Sequence, residues 1–128
     1  AIMTKNCKTL IDAYVEWLRK KTSVREVNGS YEITTPFLDR HNDYLQVYMK
    51  ESNKGIVLTD DGHTIADLEL SGYEFTSESR LKISKVLSGL GVNLKEGELV
   101  VEVTPENFPQ KMHDLVRAML YLNYLLLQ

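Results

Sequence analysis

A chain of 128 residues, 43% hydrophobic and 26% charged with only three prolines, has material for one core and none of the bias that marks disorder, repeats or fibrous sequence. Fifteen Lys and Arg stand against eighteen Asp and Glu, a formal charge of −3. No long-range pull toward phosphate is therefore built in, and nucleic-acid binding would need a local basic patch. The single cysteine, Cys7, excludes an internal disulfide framework, no basic-then-apolar leader opens the chain, and no run of about 18 apolar residues is present to span a bilayer. The expectation is one cytoplasmic domain over residues 3–128 with no membrane association, Ala1 and Ile2 being read as vector residues ahead of a native Met3.

From Thr4, an apt N-cap, the residues Cys7, Leu10, Ile11, Tyr14, Val15 and Leu18 recur at i, i+3, i+4, i+7, i+8 and i+11, which predicts an amphipathic helix over 4–21. Cys7 falls on that stripe and is read as core, whereas Trp17 lies off it. Asn28-Gly29 separates two β-rich runs and suits a two-residue turn in which both positions take positive φ. That loop pairs Val27 with Ser30, Arg25 with Glu32 and Val24 with Ile33, an ion pair on one face and an apolar pair on the other. Residues 44–50 alternate, with Leu45, Val47 and Met49 facing one way and Tyr44, Gln46, Tyr48 and Lys50 the other. A polar turn at 51–54 and a strand at 55–59 follow, so four consecutive strands make an antiparallel meander with one face on the core.

A short helix over about 64–71 buries Ile65 and Leu68 and stops at Gly72. Thr76 or Ser77 caps the next, with Ile83, Val86, Leu87 and Leu90 as its stripe and Gly89 and Gly91 at its end. Strands at 92–94 and 98–103 flank a loop at 95–97. Thr104 and Pro105 read as N-cap and first residue of a final helix. Its Phe108, Met112, Leu115, Met119, Leu122 and Leu126 form one stripe, and Val116, Leu120, Tyr124 and Leu127 a second, so the last turn is apolar almost all round. Something must cover it: this domain, a second copy, or a following domain. A homodimer through the C-terminal helix or a following domain is the favoured expectation, since a chain end is an unusual place for full burial. The fold class is α+β, an antiparallel meander with helices packed on one face and long N- and C-terminal helices.

Chemistry concentrates in two loops. Asp39, Arg40, His41, Asn42 and Asp43 precede the strand at 44–50, and Asp60, Asp61 and His63 follow the strand at 55–59. Antiparallel pairing of those strands would place Asp43 beside Asp60 or Asp61 at one sheet edge. Asp39, Asp43, Asp60 and Asp61 could then hold a divalent cation, with His41 or His63 as base. Equally, Asp and Asn form turns and cap helices by bonding nearby backbone N–H groups. A nuclease-like Glu-x-Lys is missing, since Gln46 and Tyr48 occupy its place. Two helices around Gly72 invite comparison with a helix-turn-helix, and Arg80, Lys82 and Lys85 supply some positive charge, but the turn from Gly72 to Thr76 is long for one. No phosphate-binding glycine loop, zinc-ligand spacing or serine nucleophile motif appears, and no cofactor is expected.

The run Thr35-Pro36-Phe37-Leu38-Asp39-Arg40-His41-Asn42-Asp43-Tyr44-Leu45-Gln46-Val47-Tyr48, with Ile56-Val57-Leu58-Thr59-Asp60-Asp61-Gly62 and Asp67-Leu68-Glu69-Leu70-Ser71-Gly72, resembles the DUF1828 family of unknown function. The resemblance implies a bacterial or phage-borne cytoplasmic protein, sometimes with a further C-terminal domain, and supplies no activity. Three functional expectations remain. The leading one is a non-enzymatic protein-binding module presenting Arg40, Asn42, Tyr44 and Tyr48 to a partner. The second is a metal-assisted hydrolase, with converging carboxylates, and DNA binding through residues 78–85 ranks third.

Overall fold

The computed structural model describes residues 2–127, with side chains from residue 6 to residue 126. Six strands, β1 (Ser23–Val27), β2 (Ser30–Leu38), β3 (Tyr44–Ser52), β4 (Gly55–Thr59), β5 (Asn93–Lys95) and β6 (Glu98–Val103), form one antiparallel sheet in the order β1-β2-β3-β4-β6-β5. Helices α1 (Ile2–Lys21), α2 (His63–Leu70), α3 (Ser77–Leu90) and α4 (Phe108–Asn123) complete the α+β fold, and among the described residues no helix is long and apolar enough to cross a membrane.

The hairpins follow from their turn dipeptides. Asn28 and Gly29 both have positive φ, and so do Glu96 and Gly97, the geometry whose twist matches that of paired strands. Val27 faces Ser30, Arg25 faces Glu32 and Val24 faces Ile33, the register the alternation predicts. β3 runs two residues further than its alternation suggests, so the β3–β4 loop shrinks to Asn53 and Lys54 between the paired Ser52 and Gly55.

One sheet face presents Ile33, Leu45, Val47, Leu58, Leu99, Val101 and Val103, and α2, α3 and α4 close over it with Ile65, Leu68, Ile83, Leu87, Leu115, Met119 and Leu122. The opposite face carries Glu32, Thr34, Gln46, Tyr48 and Thr59, whose register pairs them across the strands.

Three expectations change at the chain's two ends. The N-terminal helix already begins at Ile2, so Thr4 is inside it and does not open it; the side chains of residues 1–5 lie outside those described. Cys7, Leu10, Ile11, Tyr14 and Val15 are exposed, so Cys7 is not a core residue. α1 rests on the domain chiefly through β2, with Leu18 half-buried. The last helix begins at Phe108, one turn later than Thr104 and Pro105 suggest. There Asn107 Oδ1 accepts from the Thr104 N–H at 2.7 Å and Thr104 Oγ1 from the Asn107 N–H at 3.2 Å. This reciprocal pair holds a separate turn ahead of the helix, and Pro109 takes the early-helix position that Pro105 was expected to fill. At the other end of α4, Leu115, Val116, Met119, Leu122 and Leu125 are buried in this domain's own core. Only Leu127 of its stripes lies outside the described side chains.

Candidate functional site: the 39–43 loop and its anchor on α2

Pro36 lacks an N–H and cannot donate to a ladder, and the β2–β3 register shifts between Thr34 and Leu38. Buried Thr35 bridges the gap: its hydroxyl donates to Leu45 O at 2.8 Å and accepts from the Phe37 N–H at 3.3 Å. Pairing resumes at Leu38 and Tyr44, leaving residues 39–43 as a tight loop.

Inside that loop the Asp39 carboxylate accepts from the His41 N–H at 2.8 Å and the Asp43 N–H at 2.9 Å, and the Asp39 N–H donates to Asp43 O at 2.8 Å. Asn42 supplies the left-handed residue, φ 63°, a conformation that Asn tolerates better than most side chains. Asp39 is thus a turn former.

Arg40 turns inward. Its backbone N–H donates to Oδ1 of buried Asn123 at 2.7 Å, and its guanidinium Nη2 donates to Asp67 Oδ2 at 2.7 Å and to the Ser71 hydroxyl. Its Nε is buried with no hydrogen bond among the described residues. The other Asp67 oxygen meets His41 Nε2 at 2.9 Å. One carboxylate on α2 therefore clamps two consecutive loop residues. Burial pushes the Asp67 pKa up, but hydrogen bonds from Arg40 and His41, with their charges, outweigh it and hold the group below its ordinary value.

Asp60 closes the other loop. It is 0% exposed, and its carboxylate accepts from the N–H groups of Gly62 at 2.9 Å, Thr64 at 3.1 Å and Leu99 at 2.9 Å. Asp61 points outward to Lys50 at 2.9 Å. The expected meeting of Asp43 with Asp60 or Asp61 does not occur. Thr59 pairs with Tyr48, so Asp43 lies roughly four residues, about 13 Å, further along β3. Among the described residues no group of three or more His, Cys, Asp and Glu is disposed to hold a metal ion. What does come together is a shallow depression of about 280 Å³ lined by Asp39, His41, Asp43, His63, Asp67 and Asn123.

The tyrosines differ. Tyr44 is exposed beside the loop. Tyr48 is half-buried, its hydroxyl donating to Glu32 at 3.3 Å and its ring meeting His63 edge-on at 5.7 Å. Burial, then the Glu32 charge, pushes its phenol pKa up. Arg40 and Tyr48 are therefore held by the domain, leaving Asn42 and Tyr44 as the outward pair among the expected contacts.

A larger cavity, about 570 Å³, lies apart from this chemistry, between α2, α3 and β5, with Ile65, Phe75, Ile83 and Leu87 in its wall. Its Arg80 is already spent: Nε donates to Phe75 O at 3.2 Å and the guanidinium lies 5.6 Å from the Phe75 ring centre. Lys82 faces Glu78 at 3.8 Å. α2 and α3 each pack chiefly on α4 rather than on one another, unlike the two helices of a helix-turn-helix.

Sequence reasoning missed Asp67, Ser71 and Asn123. Asn123 carried a signal, as a polar residue in an otherwise apolar last turn. Asp67 and Ser71 looked like ordinary polar positions of a short helix.

Residues 35–122 match the family described as Domain of unknown function DUF1828. The chain belongs to the DUF1828 family. The matched stretch contains the 39–43 loop and its α2 anchor, and stops one residue short of Asn123. No curated protein and no solved structure matches this DUF1828 chain.

Proposed function

We propose that this DUF1828 domain is a non-enzymatic protein-binding module whose recognition element is the 39–43 loop with its exposed apolar flanks. One observation carries the reading. The loop is tied internally and to α2 and α4, yet Phe37, Leu38, Tyr44 and Tyr124 stand exposed around its base, with the Tyr124 hydroxyl donating to Leu38 O at 3.4 Å. Rigid backbone with exposed aromatic side chains lowers the entropy lost on docking and supplies anchors of the kind that dominate interfaces. The carboxylates meanwhile serve the fold: Asp39 and Asp60 bond backbone amides, Asp61 a lysine, and Asp67 the loop itself.

The test has two arms. Immobilised protein is used to capture partners from a lysate of the native host, comparing wild type with a Leu38→Ser/Tyr44→Ala variant. A protein enriched by wild type should fall about tenfold or more in the variant, the loss of one or two interface anchors. In parallel, calorimetry with Mg²⁺, Mn²⁺ and Ca²⁺ should give no stoichiometric heat at millimolar concentration. Binding of one equivalent that an Asp43→Asn/Asp61→Asn variant abolishes would overturn the reading in favour of a metal-assisted hydrolase.

A further inference from the structure

We infer that α1 is a self-association element, and that two copies of the chain pair through it antiparallel about a two-fold axis passing between Asp12 and Ala13. Leu10, Ile11, Tyr14, Val15 and Trp17 are 69%, 55%, 53%, 55% and 48% exposed. That leaves roughly 500 Å² of mostly apolar surface per copy on a single helix. Joining two such faces buries about 1,000 Å², the lower bound for a specific interface.

The spacing selects a second copy as the occupant. Cys7, Leu10, Ile11, Tyr14, Val15 and Leu18 read the same in both directions. Reversal about the midpoint of 12 and 13 exchanges Cys7 with Leu18, Leu10 with Val15, and Ile11 with Tyr14. Every stripe residue of one helix then meets a stripe residue of the other, a larger side chain against a smaller one, as an isologous interface requires.

The helix dipoles select the direction. Arg19, Lys20 and Lys21 crowd the last turn. A parallel pair would stack these three on their own copies and align the dipoles, whereas an antiparallel pair sets the dipoles head to tail and leaves one like-charge register, Lys20 level with Lys5, at each end. A lipid surface fits less well. Asp12 and Glu16 lie on the polar side, and Glu16 is bonded to Arg19 at 2.7 Å, acidic groups that an anionic surface repels.

The full chain and an Ile11→Glu variant are compared by sedimentation equilibrium across about 5 to 500 μM, with circular dichroism to show that both are folded. Wild type should move from monomer to dimer mass over that range, and the variant should stay monomeric. The register is read by oxidation. A Leu18→Cys variant that retains Cys7 should form a covalent dimer on non-reducing gels. Wild type should not, since its two Cys7 residues would lie about 16 Å apart along the pair. A wild type that is monomeric throughout, or an Ile11→Glu variant that still dimerises, overturns the inference. Ready Cys7-to-Cys7 cross-linking overturns the antiparallel arrangement. Binding of monomeric wild type to anionic phosphatidylserine vesicles would assign the stripe to a lipid surface instead.

Discussion

Asp67 makes the loop and the domain one object. Its carboxylate bonds Arg40 and His41 at 2.7 and 2.9 Å, and Arg40 has only 14% of its side chain exposed. Because the folded pKa of Asp67 lies below its ordinary value, the folded state binds fewer protons than the unfolded state between those two values. The pair's contribution is therefore complete above the ordinary aspartate pKa of about 3.9 and disappears as pH falls through the folded value. Asp67→Asn should lower stability near pH 6 by about 1–2 kcal/mol, a figure reduced for the carboxylate's partial exposure. The gap to wild type should narrow as pH falls below 4, read as urea midpoints from pH 6 to pH 2. The four aspartates and two histidines of the two loops were legible as a local concentration of chemistry. Their partner was not, because Arg40 and Asp67 are 27 positions apart and meet only once α2 has been laid against the sheet.

At the scale of elements, the joint at Asp60 is the most exacting. One buried carboxylate receives amides from the β4–α2 turn, the first turn of α2 and β6. Asp60→Ala leaves those three donors unsatisfied and should cost about 3–5 kcal/mol by urea denaturation. Asp60→Asn should cost less, since Oδ1 alone serves Gly62 and Leu99 and only the Thr64 N–H would lose its acceptor. Equal losses in the two variants would show that burial of the side chain, and not its oxygens, matters here. Local signals read this joint well, as an Asp-Asp-Gly turn ahead of a helix, because turn and cap chemistry act over two to four residues. The same signals misplaced the start of α4: Thr104-Pro105 and Asn107 with Pro109 are both sound openings, and the choice between them depends on where β6 ends. Periodicity likewise identified the stripe of α1 but could not say whether a face that asks for cover receives it from the same chain.

Over the whole molecule, none of the described side chains of α1 joins the core cluster, whereas α4 contributes Leu115, Val116, Ala118, Met119 and Leu122. Removing residues 1–21 should therefore leave a cooperative unfolding transition within about 1 kcal/mol of the full chain, the loss being the packing of half-buried Leu18. A broad, non-cooperative transition would mean that the helix is part of the fold. The overall α+β plan was legible because each hairpin and helix announces itself locally. The sheet's continuation from β4 to β6 was not, since 38 residues separate Thr59 from Glu98 and nothing within either strand names its neighbour.

The placement of α4 has a consequence for how the protein is made. Synthesis delivers the meander first and the helix that roofs it last, and the clasp from Asn123 to Arg40 joins positions 83 residues apart. Until that helix arrives, α2 and α3 cover only part of the apolar sheet face, and the rest is the kind of surface that chaperones hold and proteases find. A message cut short before α4 would yield no smaller working domain. It would yield a sheet only partly roofed by α2 and α3, with its apolar remainder open to clearance.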